Sequence, residues 1–208
     1  MTTSTKEHWN TIYQNKKSNE VSWFQHKPTL SLNLINNLSI EKTLSIIDVG
    51  GGDSLLVDYL LKSGYTNITV LDISDKAISK AKVRLGSKAD KVNWIVSDIL
   101  DFKSEYHFDV WHDRATFHFI TSQKDTEKYI KILDKYLTCS GSVILGTFSK
   151  TGPEKCSGIP ITQYSEKSIE AIFKPLFKKE SCLERDHCTP FDTLQNFIFC
   201  TLKKHVDF

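Results

Sequence analysis

Four short clusters hold the residues best able to do chemistry: Asp48-Val-Gly-Gly-Gly-Asp53, Asp72 with Ile73, Ser97-Asp98-Ile99, and His112-Asp113-Arg114. Gly50, Gly51 and Gly52 permit positive φ and let a ligand lie against bare backbone. Asp72 follows Gly50 by 22 residues, and a carboxylate placed there can accept both hydroxyls of a ribose. Asp98 can meet an adenine amine, with Ile99 covering the ring. A dinucleotide requires G-x-G-x-x-G, whose third glycine here falls on Leu55. Asp53 would also set a negative charge against a phosphate at the helix N-terminus. A nucleoside without phosphate and with a positive centre suits this acidic loop better.

The elements that must position these clusters can be read from periodicity. Residues 44–49 form a short β-branched run that ends in the glycines, as a buried parallel strand does. Leu55, Leu56, Tyr59 and Leu60 have helical spacing and stop at Gly64. Further strands are predicted at 68–73, 92–96, 108–111 and 141–148. Ser74 caps a helix that carries Ala77, Ile78, Ala81 and Leu85, and Tyr129 to Leu137 form another. A short helix over 165–173 precedes two strands, 179–184 and 196–202. Their linker is too short for a crossover helix, so they pair antiparallel. The reading is a doubly wound α/β, Rossmann-like fold with a seven-stranded, mostly parallel sheet, helices on both faces and a C-terminal hairpin. All four clusters then lie at carboxyl ends of strands, where open α/β sheets bind ligands.

The 208 residues suit one domain, read as an N-terminal helical lid (1–40) on a core (41–208). A net charge of +2, without a basic run, points to no nucleic acid or anionic membrane. The start of the chain lacks an apolar signal core, and no apolar stretch approaches a membrane span. Five cysteines without a CxxC pair argue against a zinc site or a disulfide framework, so reduced thiols in the cytoplasm are expected and no metal. A monomer or weak homodimer is expected.

S-adenosylmethionine is a nucleoside of the kind the acidic loop favours. Ile46-Ile-Asp-Val-Gly-Gly-Gly52, Val70-Leu-Asp-Ile-Ser74 and Ser97-Asp-Ile99 resemble the successive motifs of class I S-adenosylmethionine-dependent methyltransferases. The likeness covers about residues 44–148, and the terminal hairpin agrees with that family's strand order 3-2-1-4-5-7-6. It implies that Gly50, Gly51 and Gly52 back the methionine part and ribose of that cofactor. By the same likeness Asp72 holds the ribose hydroxyls, Ile73 lies against the adenine, Asp98 and Ile99 address it, and Asp48 orders the loop. His8-Trp-Asn-Thr-Ile-Tyr13 and Val21-Ser-Trp-Phe-Gln25 are similar to the N-terminal segments of two related groups. One group methylates small thiols and other soft nucleophiles, and the other methylates lysines of elongation factors. Asp113-Arg-Ala-Thr-Phe117 resembles the Asp-Lys-Gly-Thr-Phe segment of the second group, departing at Arg114 and Ala115.

Transfer from a sulfonium is a one-step in-line displacement in which positioning does most of the work. A thiol acceptor needs only its thiolate, whereas a lysine or hydroxyl must lose a proton to a base. His118, just after strand four, is the first candidate base, ahead of His112 and His187; it is grouped as catalytic with Arg114 and Asp113. Trp9, Tyr13, Phe24 and Gln25 are assigned to the acceptor and Trp23 to the sulfonium, which aromatic faces attract. Gln25 and Arg114 could orient the acceptor, Arg114 best if it carries a carboxylate. A small-molecule acceptor is the first reading. A protein lysine is the second, and a non-catalytic nucleoside-binding partner subunit the third.

Overall fold

The computed structural model describes residues 3–205. Helix α1 (Thr3–Asn15) and helix α2 (Thr29–Asn37) precede the alternating part of the chain. That part runs β1 (Ile46–Val49), α3 (Leu56–Lys62), β2 (Ile68–Asp72), α4 (Asp75–Leu85), β3 (Val92–Val96), β4 (Phe108–Arg114), α5 (Gln123–Tyr136) and β5 (Leu137–Phe148). A two-stranded hairpin, β6 (Lys155–Cys156) with β7 (Ile159–Pro160), leads to α6 (Glu166–Phe173), and β8 (Phe177–Cys188) and β9 (Leu194–Lys204) close the chain.

The main sheet has seven strands in the order β3-β2-β1-β4-β5-β9-β8. β1 to β5 pair in parallel, while β9 is antiparallel to both β5 and β8. Numbering only these seven strands gives 3-2-1-4-5-7-6, the expected order. Alternation along the strands builds two cores. Ile47, Trp111, Val143 and Leu145 face α5 and α6, meeting Tyr129, Leu133, Ile169 and Phe173. Ile46, Val110 and Ile144 face the other way, against Leu32, Ile35, Leu56 and Leu60 of α2 and α3. A strand with apolar residues on both faces is buried on both, which explains the continuous apolar runs of β1 and β5.

Local capping signals hold. The Ser74 hydroxyl accepts from the Ala77 amide to start α4, and Gly86 ends it at φ 56°. Three expectations are corrected. β4 runs on to Arg114, so His112, Asp113 and Arg114 lie within the strand rather than after it. The closing hairpin takes in most of the predicted linker, its turn reduced to 189–193 by register pairs as far as Cys188↔Leu194. The thiols are not all reduced: Cys182 and Cys200 are cross-strand partners in β8 and β9, with Cα atoms 4.1 Å apart, and form a disulfide. Antiparallel register brings these two side chains together, and spacing along the chain does not show it.

Candidate active site

The glycine turn after β1 is built by close approach. Gly50 has φ +66°, and both its amide and that of Gly51 donate to the Leu71 carbonyl. A Cβ on Gly50 would lie 1.7 Å from Thr116 Oγ1, so no larger residue fits there. Thr116 is held in turn by its hydroxyl, which donates to the Val49 carbonyl at 3.2 Å. Gly52, at φ +48°, lies beneath the Tyr13 hydroxyl and beside Asp72.

Asp72 ends β2 as a buried carboxylate. Oδ1 accepts the Ser74 amide at 2.7 Å, and the Gly52 amide is its second donor. Among the described residues it has no cationic partner, and burial first, then the field of Asp48, pushes its pKa up to about 7. An ionised carboxylate has about four acceptor positions, so two backbone donors leave room for a pair of hydroxyls. The residues present therefore fit a ribose. Asp98 Oδ1 caps the following turn by accepting the Leu100 amide at 2.9 Å.

A cavity opens over these strand ends. Asp72, Ile73, Asp98 and Ile99 line one end. Ala115, Phe119, Phe148, Cys156 and Phe197 line the other. Trp9, Tyr13 and Trp23 border it from the N-terminal segment, packed edge to face with centroids 5.7 Å (Trp9–Trp23) and 6.2 Å (Tyr13–Trp23) apart. The N-terminal segment is pinned in place: Asn10 Nδ2 donates to Asp75 at 2.8 Å, Ser74 donates to Asn10, and His187 Nε2 donates to the Ser22 carbonyl at 2.7 Å. A second cavity runs beside the glycine turn and is lined by Phe24, Gln25, Ser31, Asp48, Gly50 and Gly51. Arg114 borders both.

The structure thus brings Gly50, Asp72, Ile73, Asp98, Ile99, Trp9, Tyr13, Trp23 and Arg114 to one cavity, and Gly51, Phe24 and Gln25 to its neighbour. Two expected catalytic residues are corrected. His118 is fully buried, stacked on Phe148 with centroids 4.6 Å apart, and neither ring nitrogen has a hydrogen-bond partner. Burial, and then nearby Arg114, pulls its pKa down to about 3, and it lines neither cavity, so it cannot serve as a base there. Asp113 is also fully buried. Its carboxylate accepts from the Tyr129 hydroxyl at 2.7 Å and from the Thr116 and Phe117 amides at 3.0 and 3.2 Å. It builds the turn after β4, and burial pushes its pKa up to about 6. Asp53 is corrected in its role: Arg84 neutralises it, and Ser18 donates to it. The case against a phosphate then rests on Leu55 alone.

Sequence reasoning missed Ser31, Phe148 and Phe197. Ser31 sits in the first turn of α2, where a serine reads as helix punctuation. Phe197 alternates correctly in β9, but only the sheet order carries that strand to the cavity wall.

Comparison with known proteins agrees with this geometry. The methyltransferase domain family matches residues 47–143. Malonyl-[acyl-carrier protein] O-methyltransferase 2 of Ilyobacter polytropus is 32% identical over 111 residues, covering 53% of this chain and 41% of that protein. The chain therefore spans less than half the length of that relative. EEF1A lysine methyltransferase 2 of Homo sapiens is 24% identical over 169 residues, covering 72% of this chain and 70% of that protein. Among solved structures, a SAM-dependent methyltransferase of Anabaena variabilis superposes with TM-score 0.74 at 16% identity, covering 97% of this chain and 94% of that one. The N-methyltransferase NodS of Bradyrhizobium japonicum, solved with S-adenosylhomocysteine, gives TM-score 0.70 at 14% identity, covering 96% and 98%. The fold and the strand-end site define a nucleoside-binding doubly wound domain. Residues 47–143 match a methyltransferase domain, which supports a class I S-adenosylmethionine-dependent methyltransferase.

Proposed function

We propose that this chain transfers the methyl group of S-adenosylmethionine to a small-molecule nucleophile. The observation that carries this reading is Asp72, a buried carboxylate whose donors are two backbone amides, facing a cavity with an aromatic far end. In this reading Asp72 holds the ribose hydroxyls, Ile73 and Ile99 flank the adenine beside Asp98, and Gly50 and Gly51 back the methionine portion. When bound, the cofactor supplies an electrophilic methyl group on a sulfonium. The protein aligns an acceptor opposite that methyl, and well-oriented reactants gain up to roughly 7–11 kcal/mol. Trp9, Tyr13 and Trp23 act as a lid that excludes water and presents aromatic faces to the cationic centre. Asp72 is only 5% exposed beneath Tyr13, so α1 must shift for the cofactor to enter.

No base stands at the aromatic end. Apart from Asp72 and Asp98 at the far end, the ionisable groups lining the cavity are Arg114, Cys156, whose thiol burial pushes up to about 11, and Tyr13, whose hydroxyl burial and then Asp72 hold protonated well above its usual range. The acceptor must therefore bring its own lone pair as a thiolate, carboxylate or neutral amine. Similarity to a lysine methyltransferase suggests a protein acceptor, but an ammonium entering here would meet the Arg114 cation. No described helix is long and apolar enough to cross a membrane, and the reading places the enzyme in the cytoplasm. Calorimetric titration with S-adenosylhomocysteine, with NADH as control, tests the reading: binding of the former alone supports it. Binding of NADH alone, or of neither, sinks the cofactor assignment.

A further inference from the structure

Arg114 is a half-buried cation with no carboxylate within ion-pairing distance among the described residues. Its Nη1 donates to the Trp23 carbonyl at 3.0 Å, and its guanidinium lies over the Phe197 ring, 5.0 Å from the centroid. Nη2 is buried and has no hydrogen-bond partner. Burial lowers its pKa only to about 10, so it stays charged near neutrality. A buried charge left unpaired is strongly unfavourable, and one satisfied by a single carbonyl and a ring still has N–H donors directed at nothing. The nearby acids are committed elsewhere: Asp48 accepts from His112, Asp113 from Tyr129 and two amides, and Asp72 from backbone amides at the far end of the cavity. Trp9, Trp23, Phe119 and Phe148, all flat and apolar, line one of the cavities that Arg114 borders.

Given the methyltransferase reading above, on which this rests, we propose that Arg114 anchors a carboxylate carried by the methyl acceptor, and that the acceptor is otherwise a flat, apolar molecule. A charge-assisted hydrogen bond from Nη2 to that carboxylate supplies the missing counterion. The rings accommodate the apolar body by stacking. Arg114 also borders the cavity beside the glycine turn, so the amino-acid carboxylate of the cofactor is the second possible source of the same chemistry. The acceptor is favoured because the guanidinium packs on Phe197, at the end of the cavity away from the glycines.

Three probes of one shape decide it: 2-naphthoate, 2-naphthamide and 2-naphthylmethylammonium, titrated calorimetrically into the full chain with and without S-adenosylhomocysteine. Naphthoate should bind about tenfold or more tighter than the amide, the scale of one charge-assisted hydrogen bond, and the ammonium most weakly. Arg114→Gln should remove the advantage of naphthoate while leaving the amide within about twofold, and Arg114→Lys should keep part of it. If the Gln variant does not fold, the Lys variant and the three-probe ranking on the unaltered chain still give the answer. Equal binding of naphthoate and amide, tighter binding of the ammonium, or no naphthoate binding overturns the proposal. So does an Arg114→Gln variant that loses affinity for S-adenosylhomocysteine but not for 5′-methylthioadenosine, which lacks the amino-acid carboxylate. Failure of S-adenosylhomocysteine to bind strikes the methyltransferase reading instead, because the probe ranking is read without it.

Discussion

The Ser31 hydroxyl on α2 stands 2.9 Å from Nε2 of His112 on β4, while Nδ1 of the same ring lies 2.7 Å from Asp48 on β1. Asp48 and His112 are register partners in neighbouring parallel strands and point to the face that α2 covers. The carboxylate holds the proton on Nδ1, leaving Nε2 to accept from Ser31. All three side chains are buried. The chain of hydrogen bonds therefore ties the N-terminal segment to the centre of the sheet, directly under the glycine turn. Ser31→Ala strands a buried imidazole nitrogen and should cost about 2 kcal/mol, within the range for such a loss. A melting curve should show Tm lower by about 4–8 °C for a domain of this size. An unchanged Tm would mean the network carries no stability.

Binding at Asp72 should depend on pH. Ribose hydroxyls donate, so the carboxylate must be ionised to accept them both. Its pKa is raised to about 7, so affinity for S-adenosylhomocysteine should fall about tenfold between pH 8 and pH 6, as protons compete for the site. Asp72→Asn should weaken binding by about 1.5–3 kcal/mol, the range for hydrogen bonds to a charged group, and should flatten that pH dependence. A wild-type affinity that is flat over this range would remove Asp72 from the ribose site.

His118 should matter to stability and not to proton transfer. The unfolded histidine takes up a proton near pH 6.5, whereas the folded one resists protonation down to about pH 3. Its contribution is therefore fully present above pH 6.5 and is lost as the pH falls towards 3. Between pH 7 and pH 5 this one group should cost about 2 kcal/mol of unfolding free energy. Denaturant titrations at the two pH values should show a smaller loss in His118→Leu than in the parent. The variant should also keep its turnover; a hundredfold fall in kcat with an intact fold would restore His118 to the chemistry.

At the glycine turn two substitutions should separate folding from binding. Gly50→Ala drives a Cβ into Thr116 at a positive φ and should prevent stable folding. In Gly52→Ala the new carbon meets the Tyr13 hydroxyl at 2.7 Å and Asp72 Oδ2 at 2.9 Å, groups that can move apart. That variant should fold, as circular dichroism would report, yet lose affinity for S-adenosylhomocysteine. Full affinity would mean that the Tyr13–Asp72 arrangement does not belong to the cofactor site.

The Cys182–Cys200 disulfide closes a loop of 18 residues, and chain-entropy reasoning gives it about 3 kcal/mol of stabilisation. Thiol counting under denaturing, non-reducing conditions should find three free cysteines, Cys139, Cys156 and Cys188. A reductant should lower Tm. Five free thiols in the purified protein would instead agree with the reduced state expected from the sequence.

The strands and the glycine turn were legible in the sequence because their signals are local, whereas the strand order followed from the family resemblance. Strands β1 and β2 show as β-branched runs and α4 as an apolar stripe between Ser74 and Gly86. The glycines stand where only glycine avoids Thr116 and Asp48. Asp72 and Asp98 could be placed at strand ends because a parallel strand fixes where its last residue points. The acceptor end was not legible, since its walls come from segments far apart in the chain. Ending β4 at 111 rather than Arg114 hid the alternation that turns Asp113 into the α5 core and leaves Arg114 at the cavity. Whether a histidine, serine or cysteine is reactive, paired or simply packed depends on what crosses to meet it. For Ser31, His118 and Cys182 the tertiary structure alone decides it, because their partners His112, Phe148 and Cys200 lie 18 to 81 residues away along the chain and are brought in by sheet order and strand register.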